Sequence, residues 1–190
     1  MPVVIEGNAQ YIAEKDFKPK IEKCLKLLKA KAATYHGWID TNVVKIRAFS
    51  KSGADVAKSS IDIAKLTFEA SETWLASVLV HETHHIRQYK EKKNYYGKDA
   101  ELECNKYQLE TLRLLKAPQS EISYLLKQDG NHFDINGDGQ PEIVIIDNTN
   151  GCVMWFEYHG DPRDQASWRH HYIVDGELPG AYDVAVADYD

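Results

Sequence analysis

Five residues at positions 81–85 have the types and the spacing that suit metal-dependent hydrolysis. His81, Glu82 and His85 form an H-E-x-x-H pattern in a stretch, 71–96, that contains no glycine or proline and is predicted to be helical. Residues four apart share one face of a helix, so both imidazoles can reach one ion. Glu82 lies beside them and can hold a water on that ion. The pattern favours zinc, and two histidines on an ordinary packed helix are the alternative.

A third ligand is needed, because catalytic zinc commonly has three protein ligands and one position for water. A second helix is predicted over about 99–116, and Glu101 near its start is the candidate. Asn105 lies one turn later on the same face, where it could hydrogen-bond to a metal-bound histidine. Glu103 could replace Glu101 only if the helix were rotated.

The neighbouring residues limit which side chains can be metal ligands and which can take part in catalysis. A three-histidine site is excluded, because Gln88 and Glu91 occupy the later positions of the longer H-E-x-x-H-x-x-G-x-x-H pattern. His84 is predicted to face away from the two ligands, as a surface residue or a neighbour of the site. Glu82 would take a proton from water and pass it to the leaving amine. The donor for the oxyanion is left open among four residues: Tyr95, Tyr96, Tyr107 and His132.

These residues together resemble the gluzincin metallopeptidases, in which H-E-x-x-H is followed by a helix that carries E-x-x-x-D. The resemblance implies a zinc ion held by His81, His85 and Glu101, with Glu82 as the general base of peptide-bond hydrolysis. Asn105 stands where the family has Asp, which keeps hydrogen bonding but removes a charge. The short interval between the two motifs suggests a minimal version of the fold.

The N-terminal part is predicted to supply the remaining elements of such a fold. A helix is expected to open at Pro19, with apolar residues at helical spacing, and to lie in a region that ends at Gly37. Strands are expected over 44–48 and 60–68, the second with a bulge near Ala64, and a turn is expected between them. By resemblance, the strand before the metal helix would be an edge that binds extended substrate. A structural edge without a ligand is the alternative.

Oxygen-bearing side chains alternate along residues 134–142, an arrangement that suits calcium: Asp134, Asn136, Asp138, Gln140 and Glu142. An EF-hand is excluded, because Ile145 stands where its bidentate glutamate would be. The segment from about 133 to the end resembles an FG-GAP-type propeller repeat, with strands expected at 143–146, 153–158 and 168–174. A hairpin turn that binds nothing is the alternative. Residues 184–190 resemble the start of a second copy, so the β module appears incomplete and could self-associate.

Composition limits the function classes. The net charge of −6 over 190 residues argues against a nucleic-acid-binding surface, and no apolar run is long enough to span a membrane. Three separated cysteines predict no disulfide framework. The first ten residues lack the pattern of a signal peptide, so a cytoplasmic location is the default expectation, with secretion by another route left open.

The sequence therefore predicts an α+β protein with two parts. Residues 1–128 would form a small zincin-like peptidase domain, and residues 129–190 a calcium-binding β module. The expected function is zinc-dependent hydrolysis of a peptide or protein substrate. The alternative is a calcium-dependent binding or adhesion module with a structural or vestigial zinc site. An exchangeable water on the zinc distinguishes the two, because a structural site closes that position.

Overall fold

The computed structural model describes residues 2–128, 142–147, 149–159 and 165–174. The chain divides into two compact units, residues 1–130 and 131–190. Within the described residues there are six α-helices, a four-stranded sheet and a separate three-stranded sheet. The predicted α+β class is confirmed, and the zincin-like fold stays a prediction.

The elements of the first unit follow one another in the order β1 (Val4–Glu6), α1 (Glu14–Lys31), α2 (Ala33–Asn42), β2 (Lys45–Ala48), β3 (Gly53–Asp55), β4 (Ser60–Ile63), α3 (Lys65–Glu69), α4 (Glu72–Lys90), α5 (Lys98–Leu115) and α6 (Gln119–Lys127). The sheet has the order β1-β2-β4-β3. β1, β2 and β4 are parallel, and β3 pairs antiparallel with β4 at one edge. Ile46, Ile61 and Ile63 are fully buried in the core, and β3 contacts α4.

The first helix begins earlier than predicted. α1 starts at Glu14, and Pro19 lies inside it, where its missing N–H removes one hydrogen bond of the helix. Glu14 and Asp16 in the first turn favour the earlier start through the helix dipole. Burial of one helical face compensates for the lost bond, and its buried residues are Phe17, Ile21, Cys24 and Leu28.

Three further expectations about the N-terminal part are wrong. Gly37 lies within α2 rather than at its end; a helical glycine costs about 1 kcal/mol relative to alanine, and the burial of Tyr35 and Ile39 offsets that cost. The second strand ends at Ile63 without a bulge, and α3 begins at Lys65. The expected turn instead contains β3, so β3 rather than β4 is the edge strand next to the metal helix.

The helix predicted over 71–96 is confirmed as α4, although it ends at Lys90. Ser71 caps its first turn, because the Ser71 hydroxyl accepts a hydrogen bond from the Trp74 N–H at 3.0 Å. The helix packs against α1, α2 and α5, and its middle is almost wholly buried. The following helix, α5, agrees with the predicted stretch of about 99–116 within one residue at each end, and α6 comes after it.

The second unit contains β5 (Ile143–Asp147), β6 (Cys152–Tyr158) and β7 (Trp168–Val174), joined in an antiparallel sheet, with a short 3-10 helix (Gln165–Ser167) before β7. These strands coincide closely with the three predicted ones.

The predicted calcium site falls mostly outside the part of the chain that the structure describes. Four expected ligands, Asp134, Asn136, Asp138 and Gln140, and the expected second copy at 184–190 lie outside the described residues. Glu142, the fifth expected ligand, is buried immediately before β5. Calcium binding stays a prediction. No helix in the described ranges is both long and apolar enough for a membrane span.

Candidate metal centre

His81 and His85 lie one turn apart on α4 and are both buried. Their Nε2 atoms are 3.2 Å apart. The helical repeat accounts for this convergence, because a spacing of four places the two rings on one face. Thr83 points into the core on another side of the helix, where its hydroxyl donates to the Leu79 carbonyl at 2.6 Å.

Glu101 brings a carboxylate from α5 to the same point. Its Oε2 atom lies 3.2 Å from His81 Nε2, and its Oε1 atom lies 3.2 Å from His85 Nε2. In a tetrahedral zinc site with ligand distances near 2.0–2.1 Å, neighbouring donor atoms are about 3.3 Å apart. The separation of the two imidazole nitrogens is close to that value, and each of them has one oxygen atom of Glu101 at the same distance. The structure therefore brings together the three predicted zinc ligands.

The contact between His85 and Tyr95 orients the His85 ring. His85 Nδ1 lies 3.1 Å from the backbone carbonyl oxygen of Tyr95. A carbonyl can only accept, so Nδ1 carries the proton and donates it. The Nε2 atom of the neutral ring then keeps a lone pair that points toward His81 and Glu101, as metal binding requires.

Two carboxylates set the charge around His85. Burial lowers the pKa of His85, but the hydrogen bond to Glu101 and the charges of Glu101 and Glu82 outweigh burial and raise its pKa overall. Burial, followed by the charges of Glu101 and Glu82, raises the pKa of Cys104. Glu82 is half-buried, and its negative charge therefore acts on the same small volume that contains the two imidazoles.

Cys104 is a metal-ligating side chain that sequence reasoning did not single out. His81, His85 and Cys104 form a buried group that could bind a metal ion, because their ligand atoms all lie within 4.8 Å of one another. The Cys104 thiol donates to Gln88 Oε1 at 3.7 Å, and burial raises its pKa. Cys104 stands three residues after Glu101 on α5, which places the two residues on one helical face. That spacing is the feature of the sequence from which Cys104 could have been identified as a candidate ligand.

His84 differs from the expectation of a surface residue. It is 5% exposed, and its ring packs against Tyr107 and Trp38 with centroid separations of 4.4 and 5.9 Å. Burial lowers the pKa of His84, although Glu103 lies 3.4 Å from its Nε2 atom and acts in the opposite direction. The surface position is therefore wrong, because Trp38 of α2 and Tyr107 of α5 cover that side of α4. The other predicted role, as a neighbour of the site, stays a prediction.

The other candidate residues take different positions. Glu103 accepts a hydrogen bond from Gln88 Nε2 at 2.8 Å and lies beside His84. Asn105 is half-buried, and it forms no side-chain hydrogen bond with any described residue, so its supporting role stays a prediction. Among the oxyanion candidates, Tyr96 is exposed, Tyr107 packs against His84, and His132 lies outside the described residues.

Comparison with models of protein families, with curated proteins and with solved structures finds no match to this chain. The class of site therefore follows from its donor atoms alone. Two imidazoles and a thiol form a buried group able to bind a metal ion, and a carboxylate touches both imidazoles.

Proposed function

We propose that this protein is a zinc-dependent peptide hydrolase in which His81, His85 and Glu101 hold the ion and Glu82 is the general base. The observation that carries the proposal is the convergence of two imidazoles and a carboxylate. The Nε2 atoms of His81 and His85 are 3.2 Å apart, and a different oxygen atom of Glu101 lies 3.2 Å from each of them. An apolar core seldom brings two imidazoles and a carboxylate to one point without a ligand, because burying such groups is costly.

The donor set favours zinc over hard cations. Calcium and magnesium prefer six or more oxygen ligands, whereas imidazole nitrogen with one carboxylate is a frequent zinc set. Zinc bound there would polarise a substrate carbonyl and lower the pKa of an adjacent water toward 7. The chain's own residues then have to orient the substrate and move the protons.

Glu82 is suited to move those protons. It neighbours His81 on α4, and its carboxylate is close enough to raise the pKa of His85 and Cys104. In this position Glu82 accepts a proton from the attacking water and delivers it to the leaving nitrogen. His85 does not carry the proton in this scheme, because both of its ring nitrogens are engaged. Its Nδ1–H donates to the Tyr95 carbonyl, and its Nε2 atom would bind the ion.

The position of the edge strand β3 favours a peptide as the substrate. Strand β3 lies at one edge of the sheet and contacts α4, the helix that carries His81 and His85. An extended peptide would add to this edge through backbone hydrogen bonds and pass beside the metal centre. The resemblance to the gluzincins assigns the same role to an edge strand next to the zinc helix.

The test is the isosteric variant Glu82→Gln, assayed with zinc content on a mixed fluorogenic peptide library. The variant should keep about one zinc per chain and lose hydrolysis by about 10²–10⁴-fold, the usual contribution of a general base. A chelator should abolish the parent activity, and added zinc should restore it. Glu91→Gln is the matched control, because it removes a carboxylate that pairs with Lys93 just beyond the end of α4. Full activity in Glu82→Gln, or no activity in the zinc-loaded parent, would overturn the proposal.

A further inference from the structure

Cys104 faces two alternative partners at the metal centre. On one side its thiol donates to Gln88 Oε1 at 3.7 Å. On the other side its sulfur lies within 4.8 Å of the ligand nitrogens of His81 and His85. Cys104 stands three positions after Glu101 on α5, so both side chains leave the helix on the face that meets α4.

A small movement would bring the sulfur into the coordination shell. In a tetrahedral zinc site with a Zn–S distance near 2.3 Å, sulfur and nitrogen ligands are about 3.5 Å apart. Rotation of the Cys104 side chain between staggered rotamers moves its sulfur by about 3 Å, which is more than the shift required. The contact with Gln88 is a weak thiol hydrogen bond, so leaving it costs little.

We propose that Cys104 is a fourth ligand of the same ion and that it closes the metal site in the resting protein. This inference rests on the proposed function, because it assigns a regulatory ligand to the same zinc centre. The closed site has two imidazole nitrogens, one carboxylate oxygen and one thiolate, and it has no position for water. The open site has the thiol returned to Gln88.

Exchange between the two states is a balanced ligand substitution. The thiol loses its proton to solvent when the sulfur binds, since a coordinating thiol is deprotonated even where the surroundings are apolar. When a substrate carbonyl or a water takes the position, the thiolate takes a proton back and donates again to Gln88 Oε1. Neither direction requires an oxidant or a reductant.

Cobalt-loaded full-length protein tests the assignment, because a cobalt–thiolate bond gives a charge-transfer absorption band in the near ultraviolet. The parent chain and Cys24→Ser should both show the band, and Cys104→Ser should bind cobalt without it. Cys24 is the matched control: it is also fully buried, but its thiol donates to the Glu72 carbonyl at the start of α4, about 13 Å along that helix from His81. Peptide hydrolysis by zinc-loaded Cys104→Ser should rise several-fold, because its open position is no longer blocked.

X-ray absorption of the zinc-loaded parent chain gives a second measurement that needs no variant. One sulfur neighbour at about 2.3 Å is expected. A parent protein that binds about one metal ion per chain with nitrogen and oxygen neighbours only would overturn the role of Cys104 and leave the proposed hydrolase intact. A parent protein that binds neither cobalt nor zinc would overturn both. A band that persists in Cys104→Ser would also refute the inference.

Discussion

Glu101 and Glu103, two residues apart on α5, contact different histidines of α4. The Glu101 carboxylate lies 3.2 Å from the Nε2 atoms of His81 and His85, whereas Glu103 lies 3.4 Å from His84. The helical repeat explains the division, because residues two apart point in nearly opposite directions around a helix. The two carboxylates therefore offer a paired comparison in which only Glu101 contacts the two histidines that are proposed to bind zinc.

Zinc binding should depend on Glu101 and not on Glu103. Removal of a supporting group near a metal weakens binding by about 10–100-fold, so loss of a direct ligand in Glu101→Ala should weaken it by more than about 100-fold. Glu103→Ala should stay within about 10-fold of the parent. Competition titration against a chromophoric chelator measures both constants. Equal zinc affinity in Glu101→Ala and the parent would remove Glu101 from the ligand set.

Zinc should stabilise the folded chain by mass action. A ligand that binds only the folded state adds about 2.7 kcal/mol to the free energy of unfolding at a free concentration 100 times its dissociation constant. Urea unfolding of the metal-free protein with and without zinc measures this difference. His81→Ala, which lacks one of the two imidazoles, should lose the zinc-dependent increase. An equal increase in that variant would place the stabilising ion elsewhere in the chain.

Acid should destabilise the metal-free protein partly through His84. Burial lowers the pKa of His84 in the folded chain below the ordinary value of 6.5, so the unfolded chain binds the proton more readily. The stability present above pH 6.5 is therefore lost as the pH falls below that value. His84→Phe keeps an aromatic ring between Trp38 and Tyr107 but cannot titrate, so it should flatten this part of the pH dependence.

The control for His84 is Tyr107→Phe, which alters the ring at 4.4 Å from His84 and leaves the imidazole in place. Its free energy of unfolding should run parallel to that of the parent between pH 5 and 8. Chemical unfolding at several pH values in the presence of a chelator provides the curves. A His84→Phe curve that also runs parallel to the parent would show that His84 does not carry the effect.

Local helical spacing was enough to predict which side chains of α4 and α5 come together. His81 and His85 converge because they are four residues apart on one helix, and Glu101 follows at the start of the next helix. Cys104 was missed because a thiol was not considered beside a carboxylate ligand, although its spacing from Glu101 was visible.

The errors in the fold have a different origin, since tertiary packing overrode local signals. Pro19 and Gly37 both lie inside helices whose buried faces compensate for the poor helix formers. Residues 65–69 continue the apolar pattern of β4, yet they form a helix, because such a short apolar run fits either structure. The burial of His84 depends on α2, which is distant in sequence from α4.

The close succession of α4 and α5 also bears on the order of folding. Only residues 91–97 separate the two helices, whereas the parallel pair of β1 and β2 joins Val4 to Lys45 across the whole of α1 and α2. Loop-closure entropy rises with the length of the closed segment, so the α4–α5 hairpin has the lower entropic barrier. All four side chains that are proposed to hold the metal ion belong to this hairpin. We therefore expect zinc to accelerate refolding of the full chain, by joining the two helices before the parallel strands have met.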